Sequence, residues 1–333
     1  MKQIILDTDI GPDCDDAGAL AILNLLADQG LCRILGVGHC TSNPYGAGTV
    51  DAINRYYGRA DVEIGTYYGK GFLVEENCMS YNKYITEHFP NRYRKEAPEE
   101  VVSMYRRILA AQDDKSVEFV AIGPLNNLSN LLNSQGDVFS PLDGRSLVEQ
   151  KVSKLTIMGG IFRGSSEMVS NRVEEFAERK MEEMTEWNIG CDIAAARNVA
   201  EHWKTPKAYI GLEAGLIVTG TTLKDHLPEN HPVRLAYRLY NKNKEEGRYS
   251  WDLLTVEHAV AENSPHYKKS QAGTVQFDEK GRTIWTPDEN GMDYFVELAE
   301  SEEKIVEEIN GLLCTIPAGG FHENGMDPAI ACL

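Results

Sequence analysis

Basic residues are scarce in this chain, and long apolar runs are missing from it. It has 33 Lys and Arg residues against 51 Asp and Glu residues, which gives a formal net charge of −18 at pH 7. Such a chain repels phosphates, so the charge argues against a nucleic-acid partner. No apolar run approaches the roughly 18 residues that a membrane-spanning helix needs. The sequence therefore argues against both a nucleic-acid-binding and a membrane-spanning protein.

Paired cysteines are also lacking. The 7 cysteines are odd in number and scattered, and they include no C-x-x-C pair. This usage is typical of reduced thiols rather than of a disulfide framework. An apolar strand is predicted within the first few residues, so we expect no signal peptide. The predicted location is cytoplasmic.

Several catalytic and cofactor motifs are absent. The sequence has no phosphate-binding P-loop, no G-x-S-x-G turn and no H-E-x-x-H zinc motif. Gly46-Ala-Gly48 is followed by Asp51 where a dinucleotide fingerprint needs a third glycine. These absences argue against a dinucleotide enzyme, a serine hydrolase and a zinc peptidase.

Strand-like and helix-like runs alternate along the chain. The predicted strands are residues 4–8, 34–40, 62–65, 117–122, 154–158 and 208–212. The predicted helices are residues 16–28, 48–57, 98–111, 125–132, 193–202, 232–245, 252–262 and 302–313. A late hairpin is predicted from the two β-type runs at 274–277 and 283–285. The alternation predicts an α/β fold with a mostly parallel sheet and helices on both faces, and no composition break divides residues 1–333 into more than one domain.

The densest chemical signal is a set of carboxylates after the first predicted strand. They are Asp7, Asp9, Asp13, Asp15 and Asp16. Open α/β sheets bind ligands at the carboxyl ends of their strands. So many anions repel each other unless a cation neutralises them, and an all-oxygen set suits Ca²⁺ or Mg²⁺. A structural alternative, with Asp15 as a helix N-cap and Asp16 facing the helix dipole, explains only two of the five.

Further polar groups are predicted at the same edge of the sheet or at a helix start. They are Thr41-Ser42-Asn43, Gly123-Pro124-Leu125-Asn126-Asn127, Met158-Gly159-Gly160, Glu186-Trp187-Asn188 and Ser250-Trp251-Asp252. Each is weak alone, since Asn43 is also a common turn residue and Asp252 a common N-cap. Together they supply another carboxylate, carbonyl ligands and amides suited to sugar hydroxyls.

These motifs, in this order, resemble those of the inosine-uridine preferring nucleoside hydrolases. That family consists of calcium-dependent N-ribohydrolases with an open, Rossmann-like α/β fold. The resemblance runs from residue 3 to about residue 262. It is carried by ILDTDIGPDCDDAGAL, TSN, VAIGPLNNLSNLL, IMGG, EWNIGCDIAAA and SWDLLTVEHAV. It implies hydrolysis of the N-glycosidic bond of ribonucleosides to free base and ribose, with Ca²⁺ as cofactor, and we expect a homodimer or homotetramer.

The resemblance also implies roles for individual residues. The implied Ca²⁺ ligands are Asp9, Asp16, Asp252 and the backbone carbonyl of Asn126. The implied ribose-binding residues are Asp15 and Asn43 at the 2′ and 3′ positions, Glu186 and Asn188 on the 5′ side, and Met158 beneath the ring. Asp9 would also be the general base that takes a proton from the attacking water. Asp7 would orient the cluster, and Asp13, in a turn longer than the usual pattern, would support it or compete with Asp9 or Asp15.

Trp251 departs from the pattern, because many family members carry a histidine acid there. An indole N–H is no acid at ordinary pH, so we expect Trp251 to stack on the leaving base. The alternative is that Trp251 packs in the core and that Tyr249, or a residue of the segment 67–94, acts on the base. The segments 67–94 and 166–185 are candidate pocket-lining or lid segments.

Two other functions stay open on the sequence. The strand followed by Asp-x-Asp is also the start of a haloacid dehalogenase-type phosphatase, with Asp7 as nucleophile, Asp9 as acid and Mg²⁺ as metal. That function leaves Asp15, Asp16 and the later motifs without a purpose. The missing histidine motivates the other alternative, a calcium-dependent nucleoside- or sugar-binding protein that has lost turnover.

Overall fold

A mostly parallel sheet organises the computed structural model, which describes residues 1–162 and 183–316. The strands are β1 (Lys2–Thr8), β2 (Cys32–His39), β3 (Glu63–Thr66), β4 (Glu99–Glu100), β5 (Val117–Ala121), β6 (Val152–Met158), β7 (Lys207–Ile210), β8 (Val218–Thr219), β9 (Arg248–Tyr249), β10 (Tyr267–Lys269), β11 (Gly273–Phe277), β12 (Thr283–Pro287) and β13 (Asp293–Leu298). The α-helices are α1 (Asp15–Asp28), α2 (Gly46–Tyr56), α3 (Asn82–His88), α4 (Val101–Ala110), α5 (Asn126–Asn133), α6 (Gly144–Lys151), α7 (Trp187–Cys191), α8 (Ile193–His202), α9 (Leu223–His226), α10 (Pro232–Tyr240), α11 (Trp251–Val260) and α12 (Glu302–Leu313). Short 3₁₀ turns lie at Glu76–Met79 and Arg92–Arg94.

Strand β1 lies in the middle of the sheet. The strand order is β12-β11-β13-β7-β6-β5-β1-β2-β3-β4, with β10 paired to β13. From β13 through β4 the neighbours are parallel, whereas β10, β11 and β12 form antiparallel pairs. The carboxyl ends of β1, β2, β5, β6 and β7 therefore meet at one edge, which is where the sequence predicts the site.

Helices cover both faces of the sheet, as predicted from the alternation. In β1, Ile4 and Leu6 join one hydrophobic core with α1, α2 and α11, while Ile5 joins a second core with α4, α5 and α8. Both faces of this strand are buried. This explains why its sequence is a continuous apolar run rather than an alternation of apolar and polar residues. The α/β class and the mostly parallel sheet are confirmed.

A few predicted elements differ from the observed ones. The predicted helix 232–245 ends at Tyr240, and Lys242 and Asn243 have φ values of 55° and 66°. Neither residue continues a right-handed helix in that conformation. Strand β13 was missed, and it lies between the predicted hairpin and β7. Most of the helix predicted within 166–185 lies outside the described residues. None of the described helices is long and apolar enough to cross a membrane.

Candidate active site

A cavity of about 400 Å³ lies at the carboxyl edge of the sheet. This volume is within the usual range for small-molecule sites. The segment after β1 contributes Asp9, Asp13, Asp15 and Asp16 to its wall, and the start of α11 contributes Asp252. Residues at the ends of several strands and at the starts of two helices therefore share one concave surface.

Three carboxylates come together in this cavity. Asp15 and Asp16 are the first two residues of α1, and Asp252 lies in the first turn of α11. One oxygen from each side chain lies within 4.8 Å of the others, and all three residues are buried. Burial raises the pKa of each of the three well above its usual value, and nearby carboxylates raise it further, chiefly Asp13 for Asp15, Asp9 for Asp16 and Asp15 for Asp252. A divalent cation would relieve both costs, and the donor set, carboxylate oxygens only, fits a hard ion.

Local contacts hold the side chains of Asp15 and Asp16 in place. The backbone N–H of Asp252 donates to Asp15 Oδ2 at 3.2 Å, which joins the starts of α1 and α11. Thr8, the last residue of β1, donates from Oγ1 to Asp16 Oδ1 at 2.5 Å. The N-cap of α1 is Cys14, so Asp15 lies inside the helix and is not the N-cap that the structural alternative requires.

Asp7 and Asp13 are separated from this group by partners of their own. Asp13 forms an ion pair with Arg248, whose Nε and Nη2 lie 2.8 and 2.5 Å from Asp13 Oδ2. Asp7 is buried and accepts hydrogen bonds from the hydroxyl of Tyr105 and from Asn127 Nδ2. Asp7 is not among the described residues that line the cavity. The five aspartates therefore belong to distinct environments.

Asp9 lies in the cavity wall beside the three-carboxylate group. It is buried, and burial followed by the nearby charge of Asp13 and Asp7 raises its pKa to about 7. A cation bound beside Asp9 would lower this pKa, and the general-base role of Asp9 stays a prediction. The backbone N–H of Ile10 donates to Thr8 Oγ1 at 3.0 Å, which orders the chain on either side of Asp9.

Asn126 and Asn43 are buried near the strand ends, but neither is among the described residues that line the cavity. Asn126 begins α5 and donates from Nδ2 to the carbonyl of Cys40 at 2.9 Å. Asn43 donates from Nδ2 to the carbonyl of Cys78 at 3.2 Å and accepts from the N–H of Tyr45 at 2.8 Å. These contacts explain how both asparagines order their turns, and their roles toward metal and ribose stay predictions.

The cavity wall also contains Glu186, Asn188 and Met158. Glu186 is the N-cap of α7 and accepts from the N–H groups of Asn188 at 2.8 Å and Ile189 at 3.1 Å. Burial raises the pKa of Glu186 to about 7, against the effect of those backbone hydrogen bonds. Asn188 Nδ2 lies 3.2 Å from both the carbonyl oxygen and the sulfur of Met158. The structure therefore brings these three predicted ribose contacts together.

Trp251 lies in the cavity wall with its polar atom engaged. Its Nε1–H donates to the carbonyl of Leu212 at 2.9 Å, and the guanidinium carbon of Arg248 lies 5.0 Å from the ring centroid. A Cβ on Gly215 would fall 2.0 Å from the indole Cδ1, so the ring also packs against backbone. These contacts favour the packing alternative for Trp251, and the stacking role stays a prediction.

Several cavity residues were not identified as site residues from the sequence. They are Pro12, Ile122, Leu212, Tyr240 and Arg248. Arg248 carried no recognisable signal, because its partner Asp13 is 235 residues away along the chain. Asn77 and Cys78 of the segment 67–94 and Met184 and Thr185 of the segment 166–185 also line the cavity. Both segments therefore contribute residues to the pocket, as far as they are described.

Known proteins share both the sequence pattern and the fold. The family model for inosine-uridine preferring nucleoside hydrolase matches residues 4–311. Among solved structures, the Bacillus anthracis inosine-uridine preferring nucleoside hydrolase has a TM-score of 0.68 at 17% identity, covering 94% of this chain and 99% of the other. The Gardnerella vaginalis purine-preferring ribonucleoside hydrolase has a TM-score of 0.66 at 19% identity, covering 96% and 98%. A search of curated protein sequences finds no significant match.

A third structure of the same fold was solved with a bound ligand. The type III effector protein XopQ, solved with adenosine diphosphate ribose, has a TM-score of 0.66 at 16% identity, covering 95% of this chain and 94% of the other. Identities this low establish the fold alone, whereas the family match covers almost the whole chain. These matches do not favour a phosphatase or a binding protein without turnover. The chain belongs to the inosine-uridine preferring nucleoside hydrolase family and is a hydrolase of N-glycosidic bonds.

Proposed function

We propose that this hydrolase cleaves ribonucleosides to free base and ribose in a calcium-dependent reaction. The observation that carries the proposal is the group of three buried carboxylates, Asp15, Asp16 and Asp252, beside Asp9 in one cavity. Without a cation these groups are costly to ionise together. With one, the same cavity combines a general base, a metal site and room for a small ligand.

The proposed Ca²⁺ ligands are Asp9, Asp16, Asp252 and the carbonyl of Asn126, as the family resemblance implies. Asp15 then faces the ribose hydroxyls, and its Oδ2 is held by the backbone N–H of Asp252. The close approach of Asp15 to Asp16 and Asp252 supports a cation at this point, and it also permits Asp15 as a ligand. Bound there, Ca²⁺ would orient the attacking water and the sugar hydroxyls and would make that water more acidic.

In the proposed mechanism Asp9 takes the proton of the attacking water. Cleavage of the N-ribosidic bond builds positive charge on the sugar ring. The carboxylates around the cavity favour that charge, since they act in a site partly shielded from water. The 5′ side and the underside of the ribose would be held by Glu186, Asn188 and Met158. Asn43 would bind the ribose hydroxyls from the turn that it orders. Holding the sugar in this position lowers the entropic cost of reaching the transition state.

A neutral nucleoside suits this cavity better than a nucleotide. The cavity wall contains six carboxylate side chains, Asp9, Asp13, Asp15, Asp16, Glu186 and Asp252, and the chain has a net charge of −18. Phosphate groups would be repelled by both. The related structures are described as inosine-uridine preferring and as purine-preferring, so the substrate panel must contain both base classes.

Release of ribose from a panel of nucleosides tests the proposal. We expect the purified protein to release ribose from at least one of inosine, adenosine, uridine and cytidine, to lose this activity in EDTA and to regain it with Ca²⁺. Inosine 5′-phosphate should be a much poorer substrate than inosine. Zinc bound by histidines, activity that persists in EDTA, or nucleoside binding without ribose release would contradict the proposal.

Location and assembly are parts of the same proposal. Six cysteines, Cys14, Cys32, Cys40, Cys78, Cys191 and Cys314, are free among the described residues. Free thiols support the cytoplasmic location, which cell fractionation would test. The expected homodimer or homotetramer remains a prediction that size-exclusion chromatography with light scattering would test.

A further inference from the structure

Arg248 is the one Lys, Arg or His residue among the described residues that line the cavity. Its guanidinium carbon lies 5.0 Å from the ring centroid of Trp251, 5.3 Å from that of Tyr249 and 5.4 Å from that of Tyr240. Its Nε and Nη2 form the ion pair with Asp13. A guanidinium surrounded by three rings and held by a two-point ion pair has a fixed position.

The third nitrogen of this guanidinium, Nη1, has no hydrogen-bond partner among the described residues. All hydrogen bonds from Arg248 to the described residues leave from Nε and Nη2. Because Arg248 lines the cavity, the two N–H groups of Nη1 are the donors of this side chain that a bound ligand could use. The indole N–H of Trp251 is already in use, because it donates to the carbonyl of Leu212 at 2.9 Å.

Cleavage of a nucleoside needs such a donor. As the bond between C1′ and the base nitrogen breaks, both electrons stay on that nitrogen and spread over the ring. The new bond forms between C1′ and the water oxygen, and the water proton goes to Asp9. The base departs as an anion, and it is a poor leaving group unless hydrogen bonds stabilise its charge. The carboxylates of this cavity oppose that charge, and Arg248 is the group that favours it.

We infer that Arg248 activates the leaving group, by donating hydrogen bonds from Nη1 to the departing nucleobase. The inference rests on the proposed nucleoside hydrolysis and adds a residue to it. Because a guanidinium stays protonated in proteins, Arg248 stabilises the anion without transferring a proton, and the base takes its proton from solvent after release. Asp13 is then a positioning residue, since its ion pair occupies Nε and Nη2 and leaves Nη1 without a partner among the described residues.

A comparison of leaving groups tests this role. The substrates are inosine, uridine and 4-nitrophenyl β-D-ribofuranoside, whose 4-nitrophenolate is a stable anion that leaves without help. The variants are Arg248→Met, Arg248→Lys and the control Arg33→Met, which removes an exposed arginine of β2. Circular dichroism and calcium titration of each variant check the fold and the metal site independently of activity.

We expect Arg248→Met to lower kcat/KM about 10²–10³-fold for inosine and uridine, the range for loss of a donor to a developing anion. Its activity on the nitrophenyl riboside should stay close to that of the wild type. The kcat/KM of Arg248→Lys for the nucleosides should lie between those of the wild type and Arg248→Met, because lysine keeps the positive charge but lacks the planar set of guanidinium donors. Arg33→Met should match the wild type on all three substrates.

Two outcomes would overturn the inference while leaving the proposed function intact. Equal losses on nucleosides and on the nitrophenyl riboside would mean that Arg248 only maintains the cavity. Unchanged nucleoside hydrolysis would mean that the base does not use Arg248. If the wild-type protein releases ribose from none of inosine, adenosine, uridine and cytidine, the proposed function itself fails and the inference fails with it.

Discussion

At the scale of single residues, each aspartate after β1 has its own electrostatic environment. Asp13 is neutralised by Arg248, and Asp7 is held by two neutral donors, Tyr105 and Asn127. Among the described residues, Asp9, Asp15, Asp16 and Asp252 form no salt bridge within 4.0 Å. The described part of the chain therefore supplies a cation for Asp13 and leaves a connected group of carboxylates that an external cation would neutralise.

The first prediction concerns Asp9. Asp9→Asn keeps the shape of the side chain but removes a base and a charge, so we expect kcat to fall about 10²–10⁴-fold. Steady-state ribose release measures the loss, with Asp61→Asn, an exposed position outside the cavity, as the matched control. A near-normal rate in Asp9→Asn would contradict the base role and transfer it to Asp13 or Asp15.

The second prediction concerns Trp251. Its contacts with Leu212, Gly215 and Arg248 indicate that Trp251→Ala opens a void and releases the guanidinium. Truncating a core tryptophan to alanine lowers the free energy of unfolding by about 3–5 kcal/mol. Because the ring of Trp251 is only half-buried, we expect a smaller loss of stability. We expect a lower melting temperature and similar losses of kcat/KM for inosine and uridine.

The same experiment distinguishes the two roles of Trp251. Base stacking is worth about 1–3 kcal/mol per base, and a purine offers the larger face. A loss confined mainly to inosine, with an unchanged melting temperature, would contradict the packing role and establish stacking.

At the scale of elements, the site depends on how closely α1 approaches α10 and α11. A Cβ on Gly18 of α1 would lie 2.7 Å from the hydroxyl of Tyr237 and 3.3 Å from Leu253 Cδ1. Glycine at this position therefore permits the contact that brings the start of α1, with Asp15 and Asp16, to the start of α11, with Asp252. Helix packing thus determines the spacing of the carboxylates.

The third prediction tests this contact. Gly→Ala inside a helix usually stabilises by about 1 kcal/mol, but overpacking a core costs about 1–3 kcal/mol. We expect Gly18→Ala to lower the free energy of unfolding and to weaken calcium binding. The control is Gly311→Ala in α12, where an added Cβ meets nothing within 4 Å and should stabilise.

Urea unfolding and calcium titration of both variants give the answer. The two substitutions are chemically identical and both lie in helices. If Gly18→Ala lowers the free energy of unfolding while Gly311→Ala raises it, the difference comes from the close packing at residue 18. Equal stabilisation by both substitutions would show that α1 has room for a methyl group, and the proposed spacing argument would fail.

At the scale of the whole molecule, the metal site couples to stability. Residues of α1 and α11 approach each other only in the folded chain, since they are more than 200 positions apart in sequence. An ion that binds there stabilises the native state by about 2.7 kcal/mol at a concentration one hundred times its Kd. The fold and the cofactor are thus linked.

The fourth prediction follows from this linkage. We expect Ca²⁺ to raise the melting temperature of the EDTA-treated protein, in a manner that depends on its concentration. Asp252→Asn, which removes one carboxylate of the group, should abolish or strongly reduce the shift. Calorimetry measures both, and an equal shift in wild type and Asp252→Asn would place the ion elsewhere.

The proposed single domain can be examined in the same scans. One sheet contains β1 from the beginning of the described chain and β13 from near its end, which supports a single domain over the described residues. One cooperative transition with equal calorimetric and van't Hoff enthalpies would agree with it. Two resolved transitions would contradict it.

The sequence by itself was enough for most strands of the sheet and for a group of the residues that line the cavity. Strand β1, helix α8 (Ile193–His202) and helix α12 (Glu302–Leu313) were predicted within a residue or two at each end. The spacing of apolar residues within each of these segments is enough to indicate its secondary structure. Asp9, Asp15, Asp16, Met158, Glu186, Asn188 and Asp252 were also predicted together, since parallel strands deliver their carboxyl ends to one edge. Local patterns and one topological rule account for that success.

Only the tertiary structure decided which partner each of these residues has. The ion pair of Asp13 with Arg248, the engaged N–H of Trp251 and the close approach at Gly18 join positions far apart in sequence. Strand β13 was likewise missed, because its place beside β7 depends on long-range pairing. Local propensity carries no information about such contacts, since they form when helices and strands pack against one another in three dimensions.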